Sequence, residues 1–421
     1  MTEKNTQLPG YAQTEIKQAL LENGASGTIY ALVMPESEAA LAHVLDGGDR
    51  SQILKDAKAD WLKEYGSLDI ELDDGTDFVD FQNARLDAIR DANYFSMYRE
   101  PWTQKQDAMH QRYFDTWIKW SSPVVHLPAD DFSYRFPTAG ASEGTYKVMA
   151  EFSAHKSAEN KKHKIHVFEG EYEGFKAYAE ALKIPLVIHD RAEWESVAEK
   201  IGPNDQFWIS QPSAIDGNVW PHFEELTQAI LDAQPKAQVV PDLTYVGNVA
   251  HEFSVNVDFP NIRSIIMSQS KPCGGYYHRI GGVLSRDPSG SLFGNVWFKN
   301  LQSLAWATEM MNRHGVYDLP RKYAPIQADA SKRIAKLLGI ENFRPADVFV
   351  LGTAPVPEEP LNDINSSLLR GPESQCIIRV CLTPTMTSLI DPHMAPETFP
   401  RLMQKWEENQ FQPEDTRGFD L

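Results

Sequence analysis

The stretch SQSKPCGGYYHRIGG, Ser268 to Gly282, decides how this chain folds. It follows the apolar run SIIM, Ser264 to Met267, and leads into a second run, GGVLS, from Gly281 to Ser285. Strands covered on both faces read as continuous apolar runs of this kind. One lysine, Lys271, stands just past the end of the first run among small residues, with Tyr276, Tyr277 and Arg279 following. Open α/β sheets build their ligand sites outside the carboxyl ends of their strands. A lysine desolvated there beside other cations loses proton affinity, and its neutral amine becomes a nucleophile toward carbonyls. Arg279 offers a fixed fork suited to a phosphate dianion. Taken alone, a lysine beside glycines also reads as an ordinary surface loop.

Upstream, short apolar runs alternate with helical stretches: HVF near Val167, LVI near Val187, FWIS from Phe207 and QVVPD ending at Asp242. The alternation implies parallel strands joined by crossover helices, so the middle of the chain is expected to be an α/β sheet domain. Downstream, Val296 to His314 carries Phe298, Leu301, Leu304, Ala305 and Met311 at helical spacing, with Gly315 as its stop. A helix over Ala330 to Leu338 and strand-like runs DVFVL around Val348 and CIIRVCL around Ile377 suit a smaller α+β lobe. Toward the amino terminus, Lys105 to Trp120 places Met109, Tyr113, Phe114, Trp117 and Ile118 on one stripe, the pattern of core packing. From Thr14 to about Lys63 the text reads as a helical arm, with Ile16, Leu20 and Leu21 at helical spacing and a turn around Gly24 to Gly27. The acidic DDGTD, Asp73 to Asp77, lacks the later ligands of a calcium loop and reads as a solvated hairpin turn. The expected division is an arm with part of a small domain over 1–130, a large domain over 131–310 and a small domain over 311–421.

Composition narrows the class of function. A chain of 421 residues with 42% hydrophobic content exceeds one ordinary core, so two lobes are expected. Lysine and arginine total 40 against 59 acids, a net charge of −19 and the wrong sign for a phosphate-backbone binder. Neither a secretory signal nor a membrane span is legible, and Cys273, Cys376 and Cys381 are too few and too irregular for a disulfide framework. A cytoplasmic protein without a nucleic-acid or membrane partner is the expectation. The basic run KKHKIH from Lys161 reads as a solvated approach to a strand, and no metal site is expected.

Three further segments bear on Lys271. TAGASEG, Thr138 to Gly144, is a small-residue turn before a helix, where backbone N–H groups and the Ser142 hydroxyl suit a phosphate; a tight turn would look the same. In PDLTY, Asp242 ends an apolar run and Tyr245 follows. A carboxylate buried at a strand end is costly without a cation, and a protonated pyridine nitrogen supplies one; capping of the next turn is the alternative. Arg379 interrupts the run CIIRVCL, where an arginine needs a bidentate acid, either a substrate carboxylate or an internal salt bridge.

This order of segments resembles the fold-type-I pyridoxal-phosphate enzymes of the class I/II aminotransferase family from about Tyr94 to Arg379. The family's pattern around its lysine is met by Ser268, Ser270, Lys271, Gly274, Tyr276, Arg279 and Gly281. The resemblance implies a large domain with a mostly parallel, seven-stranded sheet flanked by helices, and a smaller α+β domain. It implies pyridoxal 5′-phosphate bonded as an imine to Lys271, which then moves a proton between the substrate Cα and the cofactor. Asp242 would meet the pyridine nitrogen, Tyr245 the ring hydroxyl, and Tyr172 the ring face. Gly140, Ala141, Ser142, Ser268 and Arg279 would hold the phosphate, Arg379 an amino-acid carboxylate. It also implies a homodimer with shared sites, Tyr98 or else Tyr94 reaching the neighbour's phosphate. One departure stands out: in SQPSAIDGN, Ser210 to Asn218, Ala214 occupies the place of the family's asparagine at the ring hydroxyl. Either Ser213 or Asn218 substitutes, or Tyr245 serves alone. Transamination is the leading expectation, elimination, replacement or cyclisation at Cβ or Cγ the second, and a non-catalytic ligand sensor the third.

Overall fold

Seven of the chain's short runs join in one sheet. The computed structural model describes residues 14–45, 50–89, 105–159 and 163–391. The strands are β1 (Tyr134–Thr138), β2 (Ile165–Phe168), β3 (Leu186–His189), β4 (Gln206–Ser210), β5 (Gln238–Asp242), β6 (Ser264–Ser268) and β7 (Gly281–Ser285), in the spatial order β1-β7-β6-β5-β4-β2-β3. All neighbours run parallel except around β7, which is antiparallel to both β1 and β6. Gln269 to Ile280, which separate β6 from β7, form a loop with no α-helix to cross the sheet, and the chain turns back on itself.

The continuous apolar runs follow from burial on both faces. Along β6, Ile265 and Met267 face a core containing Tyr113, Phe114 and Trp117, while Ile266 faces the opposite core with Val148, Met149 and Phe152. The helical stripe of Lys105–Ser121 and the helix Ala141–Glu159 thus cover opposite faces. The two outermost strands depart from this pattern. LVI in β3 is only partly covered, with Ile188 exposed, and β1 has an exposed start that hides it from a search for apolar runs.

A second, antiparallel sheet holds β8 (Arg344–Pro345), β9 (Leu351–Pro355), β10 (Leu369–Arg370) and β11 (Ile377–Cys381) in the order β8-β9-β11-β10. The run DVFVL contributes only its last residue to β9, because Val348 instead bridges Val249 beside the large sheet. The amino-terminal arm docks here: Ser26 pairs with Cys381, and Thr385 Oγ1 donates to the Gly24 carbonyl at 2.8 Å. One apolar core containing Ile209 and Met267 also contains Ile378 and Val380, so both sheets share it.

Three sequence expectations need correction. The helix expected from Val296 starts at Leu301, where Asn300 caps it by accepting from the Ser303 N–H at 3.1 Å. The helix expected from Ala330 runs Asp318–Leu338, since Pro320 lies in the first turn, whose N–H groups need no intrahelical partner, and Pro325 is accommodated inside. The DDGTD segment is a turn between the helices Arg50–Tyr65 and Phe78–Ile89 rather than a strand hairpin, closed by the Leu72 N–H on Thr76 at 2.9 Å.

The Lys271 loop is held by close packing. A Cβ on Gly275 would lie 1.9 Å from the ring of Trp306, which is fully buried and donates to the Ser37 carbonyl at 3.1 Å. Gly275→Ala is therefore expected to destabilise the protein by about 1–3 kcal/mol through overpacking. The matched control is Gly294→Ala, where nothing lies within 4 Å of the new methyl. Urea unfolding of the two variants checks this, with a lowered midpoint expected for Gly275→Ala alone.

Candidate active site

The strand register gathers the site. Ser210 at the end of β4 pairs with Asp242 at the end of β5, and Ser268 ends β6 beside them. Ser210, Asp242 and Ser268 line a cavity of about 270 Å³ together with Lys271, near the lower end of small-molecule sites, which begin at about 300 Å³. Its far wall comes from the arm, Gly27 to Ile29, and from Arg379 in β11. The carboxyl ends of the parallel strands thus carry the site, as open α/β sheets require.

Lys271 is the nucleophile candidate. Its Nζ donates to the Ile29 carbonyl and lies 5.3 Å from the Tyr276 ring centroid. Burial lowers its amine to about 8, and the Arg279 and Arg379 charges push the same way. A larger share of neutral amine is then present near neutrality than on an ordinary lysine.

Asp242 is 5% exposed and pairs with no cation among the described residues. The Thr244 N–H at 3.0 Å and the Thr244 hydroxyl donate to one of its oxygens, and desolvation still raises its pKa to about 6. Capping of the Thr244 turn and a free face toward the cavity are thus both present. Tyr245 is buried on the same wall, and desolvation raises its phenol above the usual range.

Arg379 is equally isolated. It is 5% exposed, its Nη1 donates to the Ala214 carbonyl, its Nη2 to the Gly27 carbonyl at 3.5 Å, and its Nε is buried without a partner. No carboxylate pairs with it among the described residues, which removes the internal salt bridge as its reason for being there. Burial, then the Arg370 charge, lowers its pKa to about 10, so it stays charged.

A small-residue cradle faces these groups. Gly140 has φ +83°, and a Cβ there would fall 2.6 Å from Arg279 Nη2, so the turn brings backbone and guanidinium together as only glycine permits. Arg279 donates to the Ala139 carbonyl at 3.0 Å and lies 5.4 Å from the Tyr276 ring centroid, in no ion pair among the described residues. Ala141 begins the helix at this turn, and Ser142 Oγ lies 2.9 Å from the Tyr172 hydroxyl. Ser268 Oγ donates to the Ile280 carbonyl at 3.1 Å and accepts from the Ser270 N–H, and the buried Ser270 hydroxyl has no partner among the described residues. Ala141, Ser142, Ser268, Ser270 and Arg279 line one cavity and supply hydroxyl and guanidinium donors of the kind an anion needs.

The cavity therefore brings together Lys271, Asp242, Tyr245, Ala141, Ser142, Tyr172, Ser268, Arg279 and Arg379, with Gly140 at its edge. Tyr98 and Tyr94 lie outside the described residues. Neither Ser213 nor Asn218 lines the cavity: Ser213 accepts from Arg191 and Ile215, and Asn218 accepts from the Asp347 N–H at 3.1 Å. Ala214 does line it. Sequence reasoning passed over Gly27 to Ile29, Thr244, Ser210 and Glu171. Glu171 is a buried carboxyl that accepts from the Ser210 N–H at 3.2 Å, the Ser210 hydroxyl at 2.5 Å and the Tyr172 N–H at 3.3 Å. Its only sequence signal is its place directly before the expected ring-facing tyrosine. Among the described residues no group of three or more His, Cys, Asp or Glu side chains could hold a metal ion, and no helix is long and apolar enough to cross a membrane.

No protein-family model matches the chain, and no curated protein does. Solved structures do. A C-S lyase from Staphylococcus hominis, with bound pyridoxal phosphate and the inhibitor L-cycloserine, matches at a TM-score of 0.50 and 14% identity, over 66% of this chain and 76% of that one. An Escherichia coli protein with a methionine aminotransferase function matches at a TM-score of 0.51 and 13% identity, over 69% and 82%. Identity at this level speaks for architecture only. The chain has the aspartate-aminotransferase-like fold, type I.

Proposed function

We propose that the protein is a pyridoxal-phosphate-dependent enzyme acting on the amino group of an α-amino acid, most simply an aminotransferase. The observation that carries this reading is one cavity holding a desolvated lysine, an unpaired buried carboxylate and two guanidinium groups without acids. The buried Lys271, Asp242 and Arg379 each cost free energy as they stand, and one molecule with an aldehyde, a basic ring nitrogen and a phosphate answers Lys271, Asp242 and Arg279. The fourth, Arg379, answers a substrate carboxylate.

In this reading Lys271 bonds the cofactor, Asp242 faces its ring nitrogen, Tyr245 its ring hydroxyl and Tyr172 its ring. The turn Gly140 to Ser142, with Ser268 and Arg279, takes the phosphate. The bound cofactor supplies an electrophilic carbon and an electron sink. Arg379 fixes the substrate carboxylate by two parallel donors and so sets which Cα bond faces the sink. The Lys271 amine, held at about 8 by burial, accepts the Cα proton and returns it elsewhere. Elimination or replacement at Cβ or Cγ is the second reading, favoured by one observation: Ala214 removes a polar side chain at the site's edge. The protein acts as a homodimer; Tyr277 and Phe298, each 87% exposed, give this support as apolar surface available to a second copy.

Borohydride reduction should bleach a visible band and leave the cofactor on Lys271, with Lys271→Ala colourless and inactive; an adduct mapped to another lysine refutes the assignment. Reloading of the stripped protein should speed up as pH rises toward about 8 and then level off, since the amine must be neutral to attack.

Asp242→Asn should keep the cofactor yet lose at least about tenfold in turnover, because an amide cannot hold the ring nitrogen protonated. Arg379→Lys should lose a comparable factor in kcat/KM, since a point charge does not reproduce a fork. Steady-state kinetics over a panel of amino acids, following keto-acid release and conversion of the cofactor to pyridoxamine phosphate, measures both and separates transamination from elimination.

A further inference from the structure

Arg379 has a cationic neighbour that the scheme above leaves unused. Arg370 in β10 pairs with Ile377, and Arg379 lies two residues further along β11, so the two side chains leave the same face of the second sheet as diagonal neighbours. Both reach one atom: the Gly27 carbonyl accepts from Arg370 Nη2 at 3.2 Å and from Arg379 Nη2 at 3.5 Å. Two guanidinium groups on one carbonyl repel each other, and the acids nearby do little to offset this. The one ion pair of Arg370 among the described residues is with Glu173, whose Oε1 lies 3.6 Å from Nη2, beyond hydrogen-bond length. The Glu173 side chain is 65% exposed, so water competes for it and the pair is weak. Arg370 Nη1 is taken by the Leu369 carbonyl at 2.8 Å and the Ser367 carbonyl at 3.5 Å, and its Nε, like that of Arg379, is buried without a partner. Arg370 stands directly behind the cavity wall, since the two groups that its Nη2 meets, Gly27 and Glu173, both line the cavity.

We propose that Arg370 is a specificity residue for a second carboxylate, so that the substrate is a dicarboxylic amino acid with its α-carboxylate on Arg379 and its side-chain carboxylate on Arg370. The inference rests on the pyridoxal-phosphate reading and goes beyond it in naming the substrate class. Glu173 marks the place: it is the protein's own carboxylate, loosely paired at the cavity wall, and the substrate's carboxylate replaces it there. A substrate already anchored at Arg379 brings its second carboxylate to Arg370 without the loss of freedom that a separate ion would suffer. What it displaces is a weak, exposed pair. The cavity of about 270 Å³ is small, which limits the side chain to the length of aspartate or glutamate and disfavours a bulkier phosphate. A cationic side chain would meet two guanidinium groups, and like charges set against each other select against it.

Dicarboxylates that lack an amino group cannot react, so their binding to the holoenzyme isolates this contact. Calorimetric titration at fixed salt should show glutarate binding at least about tenfold tighter than valerate, the effect of one hydrogen bond between charged groups. Arg370→Gln should abolish that preference and leave valerate binding near the parent's. A purely structural role, tethering the arm through Gly27, would instead weaken both ligands alike. Glu173→Gln, a change at an exposed side chain, should tighten glutarate by about two- to fivefold because the competing carboxylate is gone. It carries the test if Arg370→Gln does not fold. A parent without the preference, a preference unchanged in the arginine variant, equal weakening of both ligands, or unchanged glutarate affinity in the glutamate variant overturns the proposal. So does tighter binding of δ-aminovalerate than of glutarate, which would assign this wall to a cationic side chain at Glu173. Faster turnover of O-phosphoserine than of aspartate and glutamate overturns it too, in favour of a phosphate. Failure of the parent to trap cofactor on Lys271 overturns the cofactor reading itself, and trapping is measured with no dicarboxylate present, so the two failures are distinct.

Discussion

The register of β4, β5 and β6 fixes where the polar groups of this protein have to be. Ser210 lies opposite Asp242, Asp242 lies opposite Ile266, and Ser268 ends that next strand two residues further on, so three polar side chains gather at the carboxyl ends of adjacent strands. A slip of one residue would turn Asp242 into the core, where an unpaired carboxylate costs several kcal/mol. The same register puts Lys271 just beyond β6, in one cavity with Ala141 and Ser142 of the small-residue turn and with Arg379. The site is thus a product of sheet pairing before it is a product of any one side chain.

Desolvation sets the electrostatics of that place. Burial raises the acids Asp242 and Glu171 and lowers the bases Lys271 and Arg379, each in the direction that disfavours its charge. The chain as a whole carries a net charge of −19, yet three cationic side chains meet in the cavity. In the proposed reading these groups meet a ligand that is anionic at two ends and electrophilic in the middle. Catalysis by preorganised groups depends on this kind of standing cost, since the groups need no rearrangement when the ligand arrives.

The amino-terminal arm completes the enclosure. The Gly27 carbonyl accepts from Arg370 at 3.2 Å and from Arg379 at 3.5 Å, and the Ile29 carbonyl accepts from Lys271. Backbone oxygens from one segment therefore partner guanidinium groups of the second sheet and the lysine of the first. Close packing at Gly275 against Trp306 fixes the lysine loop from the other side. A segment distant in sequence thereby becomes a wall of the cavity.

The residue order by itself determined the buried strands, because both faces of β4 to β7 are covered and their inner positions are apolar, with polar residues only toward the strand ends. It also singled out Lys271, Arg279, Asp242 and Arg379 as unusual charges in or near such runs, and the fold brings these four to one cavity. The edge strands β1 and β3 were less legible, since partial exposure breaks the apolar run, and the helix Asp318–Leu338 was half hidden by prolines that only its first turn and its packing accommodate. What only the tertiary structure decided was which distant segments share a cavity. Glu171, Ser210 and Gly27 to Ile29 carry no periodic signal of their own, and their meaning depends on contacts across the sheet register and between the two sheets. Ser213 and Asn218 left the site for the same reason: their side chains bond Arg191 and Asp347, and no local pattern announces a partner that far along the chain.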